Sequence, residues 1–119
     1  MELATVATAR ERIKLAPSEE IFVRVEYNPK FAVSNFGTVK NTWNNKIKKT
    51  HVKKTTGDVV VSMDGIIYRV SHLVAIAFIE NPNNSRFVLH KDNDKQNNRE
   101  SNLYWSSSAW GKTIKHKKR

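Results

Sequence analysis

Apolar and polar residues alternate in the early part of the chain, as short β-strands require. The run Ile21–Tyr27 (IFVRVEY) is typical of a strand with one buried face. Asn28-Pro29 then predicts a turn. The runs Phe31–Ser34 and Thr38–Lys40 flank Asn35-Phe36-Gly37, whose glycine can adopt the positive φ of a tight connection. This pattern predicts a small antiparallel sheet.

A polar stretch, residues 41–57, follows these predicted strands. Between Lys40 and Lys54 the chain carries six lysines and no acidic residue. One interpretation is a solvated loop or edge ribbon, where lysine also opposes edge-to-edge pairing of sheets. The other is a ribbon that lies along a phosphate backbone. The pattern alone supports both equally.

A second hairpin and a helix are predicted next. The runs Asp58–Met63 and Ile66–Val70 flank Asp64-Gly65, and this dipeptide between β-branched runs is a strong hairpin signal. Ser71 is then predicted to cap a helix over residues 72–79, whose apolar side chains face the core.

The last part of the chain predicts two more short strands. They are Phe87–Leu89 and Leu103–Trp105, separated by a polar loop, Lys91–Glu100. Ser106-Ser107-Ser108 is predicted to cap a final helix that leads into a basic tail.

The predicted elements fit one domain of the α+β class. A chain of 119 residues can form one modest core. We expect the domain to span residues 18–111, with an upstream part at 18–57 and a second part at 58–111. A short amphipathic helix is predicted within residues 1–17, and residues 112–119 form the basic tail.

The charge of the chain predicts a polyanionic partner. It has 21 Lys and Arg against 11 Asp and Glu, a net charge of +10, which favours DNA or RNA, alone or within a nucleoprotein assembly.

The chain contains no cysteine, so disulfides and Cys-ligated zinc are excluded. Because no apolar run approaches the roughly 20 residues of a membrane span and no signal peptide is recognisable, we expect an intracellular protein without a membrane partner.

The residues expected to bind nucleic acid lie in the polar stretch, the later polar loop and the tail. They are Lys46, Lys48, Lys49, Lys53, Lys54, Lys95, Lys112, Lys115, Lys117, Lys118 and Arg119. Four aromatic residues are candidates for stacking on bases, namely Trp43, Tyr104, Trp105 and Trp110. Of these four, Trp105 is expected to fill the core.

Between residues 71 and 105 the chain carries an ordered series of motif positions. They are Leu73-Val74-Ala75, Ala77-Phe78, Asn81-Pro82, His90, Asp92, Lys95, Asn97-Asn98, Asn102-Leu103 and Trp105. Their order and spacing resemble the HNH nuclease core of phage and large-virus homing endonucleases. Upstream, residues 27–40 (YNPKFAVSNFGTVK) resemble the small module that often precedes this core.

The resemblance implies a ββα-metal unit after the first sheet and helix. In such a unit a two-stranded ribbon and a helix hold one divalent metal against the scissile phosphate. The resemblance makes His90 the general base that activates water and Asn102 the residue that orients the loop. The metal stabilises the leaving oxygen and the phosphate charge. An acidic residue directly before the histidine and an Asn or His on the following helix hold it.

The chain departs from this family pattern at both metal positions. Leu89 stands directly before His90, and Gly111 stands six residues after Trp105. Neither offers the oxygen ligand that a hard cation such as Mg²⁺ needs, and Asp92 is expected to brace the turn. We therefore expect no metal cofactor and only a vestigial general base, whereas an active enzyme would need Mg²⁺ or another divalent metal.

Three functions are compatible with this sequence. The lost ligands favour a nucleic-acid-binding protein with an impaired HNH site. The retained histidine favours an active HNH DNA endonuclease of the homing type. The short basic chain also suits a structural subunit of a virion or ribosome, and it counts against site-specific homing, which uses further DNA-reading modules.

Overall fold

A computed structural model describes residues 19–109. Within this range the chain forms eight strands, one α-helix and one 3-10 turn: β1 (Phe22–Val25), β2 (Asn28–Ser34), β3 (Val39–Asn41), β4 (His51–Val52), β5 (Val59–Met63), β6 (Ile66–Arg69), α1 (Val70–Phe78), β7 (Phe87–His90), the 3-10 turn (Glu100–Asn102) and β8 (Leu103–Ser106). The strands form three antiparallel sheets, β1-β2-β3, β4-β5-β6 and β7-β8. The α+β prediction is confirmed. The helices predicted near residues 1–17 and after Ser108 fall outside the described residues.

The first sheet forms where the alternation predicts it, but its first turn is shifted. The predicted turn at Asn28-Pro29 is wrong, because the chain turns at Glu26-Tyr27 and β2 already begins at Asn28. Val25 pairs with Asn28, so only two residues connect the strands. Proline is tolerated near the first residue of a strand, where its missing N–H disturbs the ladder least.

The second sheet confirms the predicted hairpin and uses part of the polar stretch as an edge. Asp64 and Gly65 both have positive φ, +54° and +82°, as a two-residue hairpin turn of the mirror-image type requires. β4 pairs with β5 through only two residues, both exposed. Very short edge strands discourage pairing with other chains.

Helix α1 lies at the centre of the molecule and contacts all three sheets. The predicted cap at Ser71 is wrong, because the helix begins at Val70 with Arg69 as its N-cap residue. β6 runs directly into the helix, so Ser71 falls inside the first turn and is buried. No side chain caps this helix. Within residues 19–109 no helix is long and apolar enough to cross a membrane.

One apolar core joins the elements. Val33 from the first sheet, Met63 from the second, Phe78 from α1 and Leu103 from β8 belong to the same cluster of buried side chains. The first sheet is therefore packed on the segment that contains the motif positions, and it can influence their geometry.

Candidate functional site

His90 lies at the end of β7, opposite Leu103 of β8. Its Nε2 atom is 2.7 Å from Oδ1 of Asn98. Since a carbonyl oxygen only accepts hydrogen bonds, Nε2 is the donor of this pair, and the tautomer that matches this contact has its lone pair on Nδ1. The ring is half-buried. Its tautomer is thus fixed by Asn98, and Nδ1 is the nitrogen able to accept a proton.

Asn98 is itself held firmly in place. Its residue is only 6% exposed, and it packs against Gly37 from the first sheet. A β-carbon on Gly37 would lie 3.3 Å from both Cβ and the backbone oxygen of Asn98. Sequence reasoning gave Asn98 no role, although it did note the Asn-Asn pair as a motif position.

Asn102 closes the loop that follows His90. Its Nδ2 donates to Oδ1 of Asp92 at 2.9 Å and to the carbonyl oxygen of Asn97 at 2.8 Å. Its Oδ1 accepts from the backbone N–H of Asp92 at 3.2 Å. The backbone N–H of Lys91 donates to the Asn102 carbonyl at 2.7 Å. These bonds fix both ends of the loop to one residue.

The carboxylate of Asp92 braces the same loop. Besides Asn102, it accepts hydrogen bonds from Nδ2 of Asn97 at 2.9 Å and from the backbone N–H of Asp94 at 2.8 Å. The bonds from Asn97, Asp94 and Asn102 lower the pKa of Asp92 below its ordinary value. The carboxylate is therefore charged at neutral pH, and both of its oxygens are engaged by the loop.

Within residues 19–109, one of the two metal positions of the family pattern carries no ligand atom. Leu89 precedes His90 on β7, opposite Tyr104, and offers no oxygen. Asp94 uses Oδ1 to accept a backbone N–H at 3.0 Å. Across residues 19–109 no three His, Asp or Glu side chains are grouped so that they could hold a metal ion. Gly111, the second position that the family uses, lies outside the described residues. At Leu89, the one family position that the structure describes, the residue present does not fit the metal that the family pattern implies.

The lysines predicted to bind nucleic acid are mostly exposed, and one joins the two parts of the chain. The exposed ones are Lys46, Lys49, Lys53, Lys54 and Lys95. Lys48 is half-buried, with its Nζ 5.5 Å from the centre of the Phe31 ring. Nζ of Lys95 donates to the Thr56 carbonyl at 2.8 Å, which ties the loop beside His90 to the polar stretch. The tail residues Lys112, Lys115, Lys117, Lys118 and Arg119 lie outside the described residues.

Lys40 differs from the other lysines of the polar run. It is buried, and its Nζ lies 4.2 Å from the centre of the Phe22 ring. A cation over an aromatic face is stabilised by the ring's quadrupole. Lys40 therefore belongs to the first sheet and is not available to a ligand.

Trp105 of β8 packs against the apolar core, as the sequence predicts. Its Nε1 donates to the Ile79 carbonyl at 3.0 Å. The edge of the Trp105 ring meets His72, with 5.9 Å between the ring centres. Burial, and then the charge of Arg69, lowers the pKa of His72, so this histidine adds no positive charge at neutral pH.

Comparison with known proteins identifies relatives of this chain. No protein-family model matches the chain. Two proteins of Acanthamoeba polyphaga mimivirus, both described as uncharacterized HNH endonucleases, are similar to it. One is 34% identical over 79 residues, which is 65% of this chain and 24% of the relative. The other is 32% identical over 102 residues, which is 80% of this chain and 26% of the relative. The chain thus spans about a quarter of the length of these relatives.

A solved structure shares the fold. It is that of the HNH homing endonuclease I-HmuI and describes DNA binding and cleavage by that enzyme. It matches with a TM-score of 0.63 and 31% sequence identity, over 72% of this chain and 52% of that one.

Proposed function

Because this chain belongs to the HNH endonuclease family, in its viral form, we propose that it binds DNA on the HNH fold without cleaving it by the metal-dependent route. One observation supports this most directly: Leu89 stands beside His90 where a metal-binding oxygen is required. A ββα site without a bound cation has nothing to stabilise the charge on the phosphate and the leaving oxygen.

Two further features support DNA as the partner. The chain carries a net charge of +10, which attracts a phosphate backbone through counterion release. The loop that follows His90 lies beside the end of the polar stretch, since Nζ of Lys95 donates to the Thr56 carbonyl and the N–H of Thr56 donates to the Lys53 carbonyl. A duplex placed against that loop would therefore also come close to the exposed Lys53.

An active endonuclease is the second candidate function. The observation in its favour is the geometry of His90, whose Nδ1 keeps its lone pair while Asn98 holds Nε2. A histidine in this tautomer can act as a general base. The two candidates differ in whether any divalent metal is bound, so they are separable by a cleavage assay.

The test is nicking of supercoiled plasmid with Mg²⁺ or Mn²⁺. We expect no nicking by the wild-type chain. The double variant Leu89→Asp with Gly111→Asn restores oxygen ligands at both family positions, and we expect measurable nicking from it, because His90 and its supporting loop remain intact.

The control adds His90→Ala to the double variant, and nicking should then disappear. Nicking by the wild-type chain that is lost in His90→Ala would overturn the proposal in favour of the active enzyme. A gel-shift assay on fragments of the same plasmid tests DNA binding separately, and no binding at low salt would exclude both candidates.

A further inference from the structure

The side chain of Trp43 stands out from the surface. The residue is 79% exposed, more than any other large apolar residue in the described part of the chain. Tryptophan buries a large area when it packs and dominates the energetics of many interfaces. An exposed tryptophan on an ordered loop is therefore a candidate contact for a ligand.

The loop that carries Trp43 has a fixed backbone. Oδ1 of Asn41 accepts from the backbone N–H of Trp43 at 2.8 Å and of Asn44 at 3.2 Å. Oδ1 of Asn44 accepts from the N–H of Lys46 at 2.9 Å. Asn45 completes the turn with a positive φ of +61°, which asparagine tolerates well. Because this backbone is already ordered, little free energy of binding is lost to immobilising the loop when a ligand contacts the ring.

Lysines lie near the ring in space and along the chain. Nζ of Lys30 lies 5.9 Å from the ring centre and also forms an ion pair with Asp64 at 2.8 Å. Lys46 and Lys48 follow on the same segment, and residues 31–57 contain no acidic residue. A partner with a flat apolar face and negative charge nearby would therefore suit Trp43 and the lysines of its segment.

We propose that Trp43 stacks on an unpaired base of single-stranded DNA while the neighbouring lysines contact its phosphates. This inference rests on the proposed DNA-binding function and assigns it a contact. Unpaired bases expose their faces to aromatic side chains, and stacking on them tolerates any sequence. A fully paired duplex hides those faces within its own stack.

Fluorescence anisotropy with labelled oligonucleotides tests the proposal on the full chain. Trp43→Ala should weaken binding to single-stranded DNA by about 5- to 150-fold, the equivalent of ~1–3 kcal/mol for one stacked base. Trp43→Tyr should restore most of the affinity. The dependence of affinity on salt should not change, because the substitution removes no charge.

Ile47→Ala is the matched control. Ile47 lies at the end of the same loop and is 61% exposed, but it offers no aromatic face. We expect this variant to stay within about two-fold of wild type, as for most surface substitutions. Both variants should keep the wild-type thermal midpoint, which shows that the fold is intact.

A fully paired duplex of the same sequence distinguishes the possible outcomes. Its binding should be the same for wild type and Trp43→Ala. An equal loss on single strand and duplex, or no loss on either, would overturn base stacking while leaving the DNA-binding proposal intact. Failure of the wild-type chain to bind any DNA would overturn both.

Discussion

Two side-chain amides determine the geometry around His90 at the scale of single residues. The role of Asn102 follows from its place in the family pattern, and the structure gives it four hydrogen bonds to the loop through its side chain and carbonyl. The role of Asn98 could not be predicted in this way. Asn97 and Asn98 are adjacent and chemically identical, and only the path of the folded loop decides that Asn98 faces the imidazole.

The structure predicts that Asn98 controls the tautomer of His90. In Asn98→Ala we expect the ring to lose its preference for hydrogen on Nε2, because the acceptor is gone. Removing a buried hydrogen-bond partner should also reduce the free energy of unfolding by about 1–3 kcal/mol. Nitrogen-15 NMR of the ring reports the tautomer, and urea titration reports the stability.

Asn97→Ala is the control for this experiment. Its side chain bonds to Asp92 and not to His90, and its backbone oxygen, which Asn102 uses, is kept. The tautomer of His90 should therefore be unchanged in this variant. A wild-type ring that already shows a mixture of tautomers would contradict the assignment of Nε2 as the donor.

At the scale of elements, the first sheet and the loop beside His90 meet at the turn after β2. The backbone N–H of Glu100 donates to the Asn35 carbonyl at 2.8 Å, and the Arg99 guanidinium lies 4.1 Å from the centre of the Phe36 ring. Gly37 packs on Asn98. The first sheet therefore helps to hold the loop beside His90 in place.

The contacts between these two segments could not be predicted from sequence patterns. Alternation and the Asp64-Gly65 pair predict strands and hairpins because those signals are local. The bond between Asn35 and Glu100 joins residues far apart in the chain, so no local pattern reports it. The misplaced helix cap at Ser71 has a local origin, because β6 leads straight into α1 and Arg69 becomes the N-cap residue.

Gly37 provides a test of this coupling between elements. Its φ of +94° is strained for any residue with a β-carbon, and that atom would press on Asn98. Gly37→Ala should lower the free energy of unfolding by about 1–3 kcal/mol and shift the NMR signals of the His90 ring. Urea titration and ring spectra measure the two effects.

Gly65→Ala separates strain from contact. Gly65 has a similar φ of +82°, but a β-carbon there would meet nothing within 4 Å. This variant should lose stability through backbone strain and leave the His90 signals unchanged. If both variants shift those signals equally, the turn after β2 does not position the loop.

At the scale of the whole molecule, the fold could be predicted better than the environments of the charged side chains. One core joins all three sheets and α1, and the α+β class was predictable because it depends on the order of local elements. The surface properties were less predictable. The lysines of one sequence run have different environments, since Lys40 is buried over Phe22 while Lys53 and Lys54 are exposed.

The tail gives the largest predicted effect of charge on DNA binding. Residues 112–119 carry five positive charges, half of the net +10, and have only Ile114 as an apolar residue to bury. Each phosphate neutralised on duplex DNA steepens the plot of log affinity against log salt concentration by ~0.9. If most of the tail contacts phosphate, deleting these residues should flatten the slope by about 3–4 and weaken binding to unrelated sequences equally, because phosphate contacts carry no base information.

Lys53→Ala with Lys54→Ala is the comparison variant for this titration, since both side chains are exposed in the polar stretch. Its slope should flatten by at most about 2, because each phosphate that is no longer neutralised removes ~0.9 from the slope. If the tail and these two lysines contact different phosphates, combining the deletion with the double substitution should add their effects on the slope. A slope that survives the deletion unchanged would show that the tail does not contact DNA, and the remaining Lys and Arg residues would then account for the salt dependence.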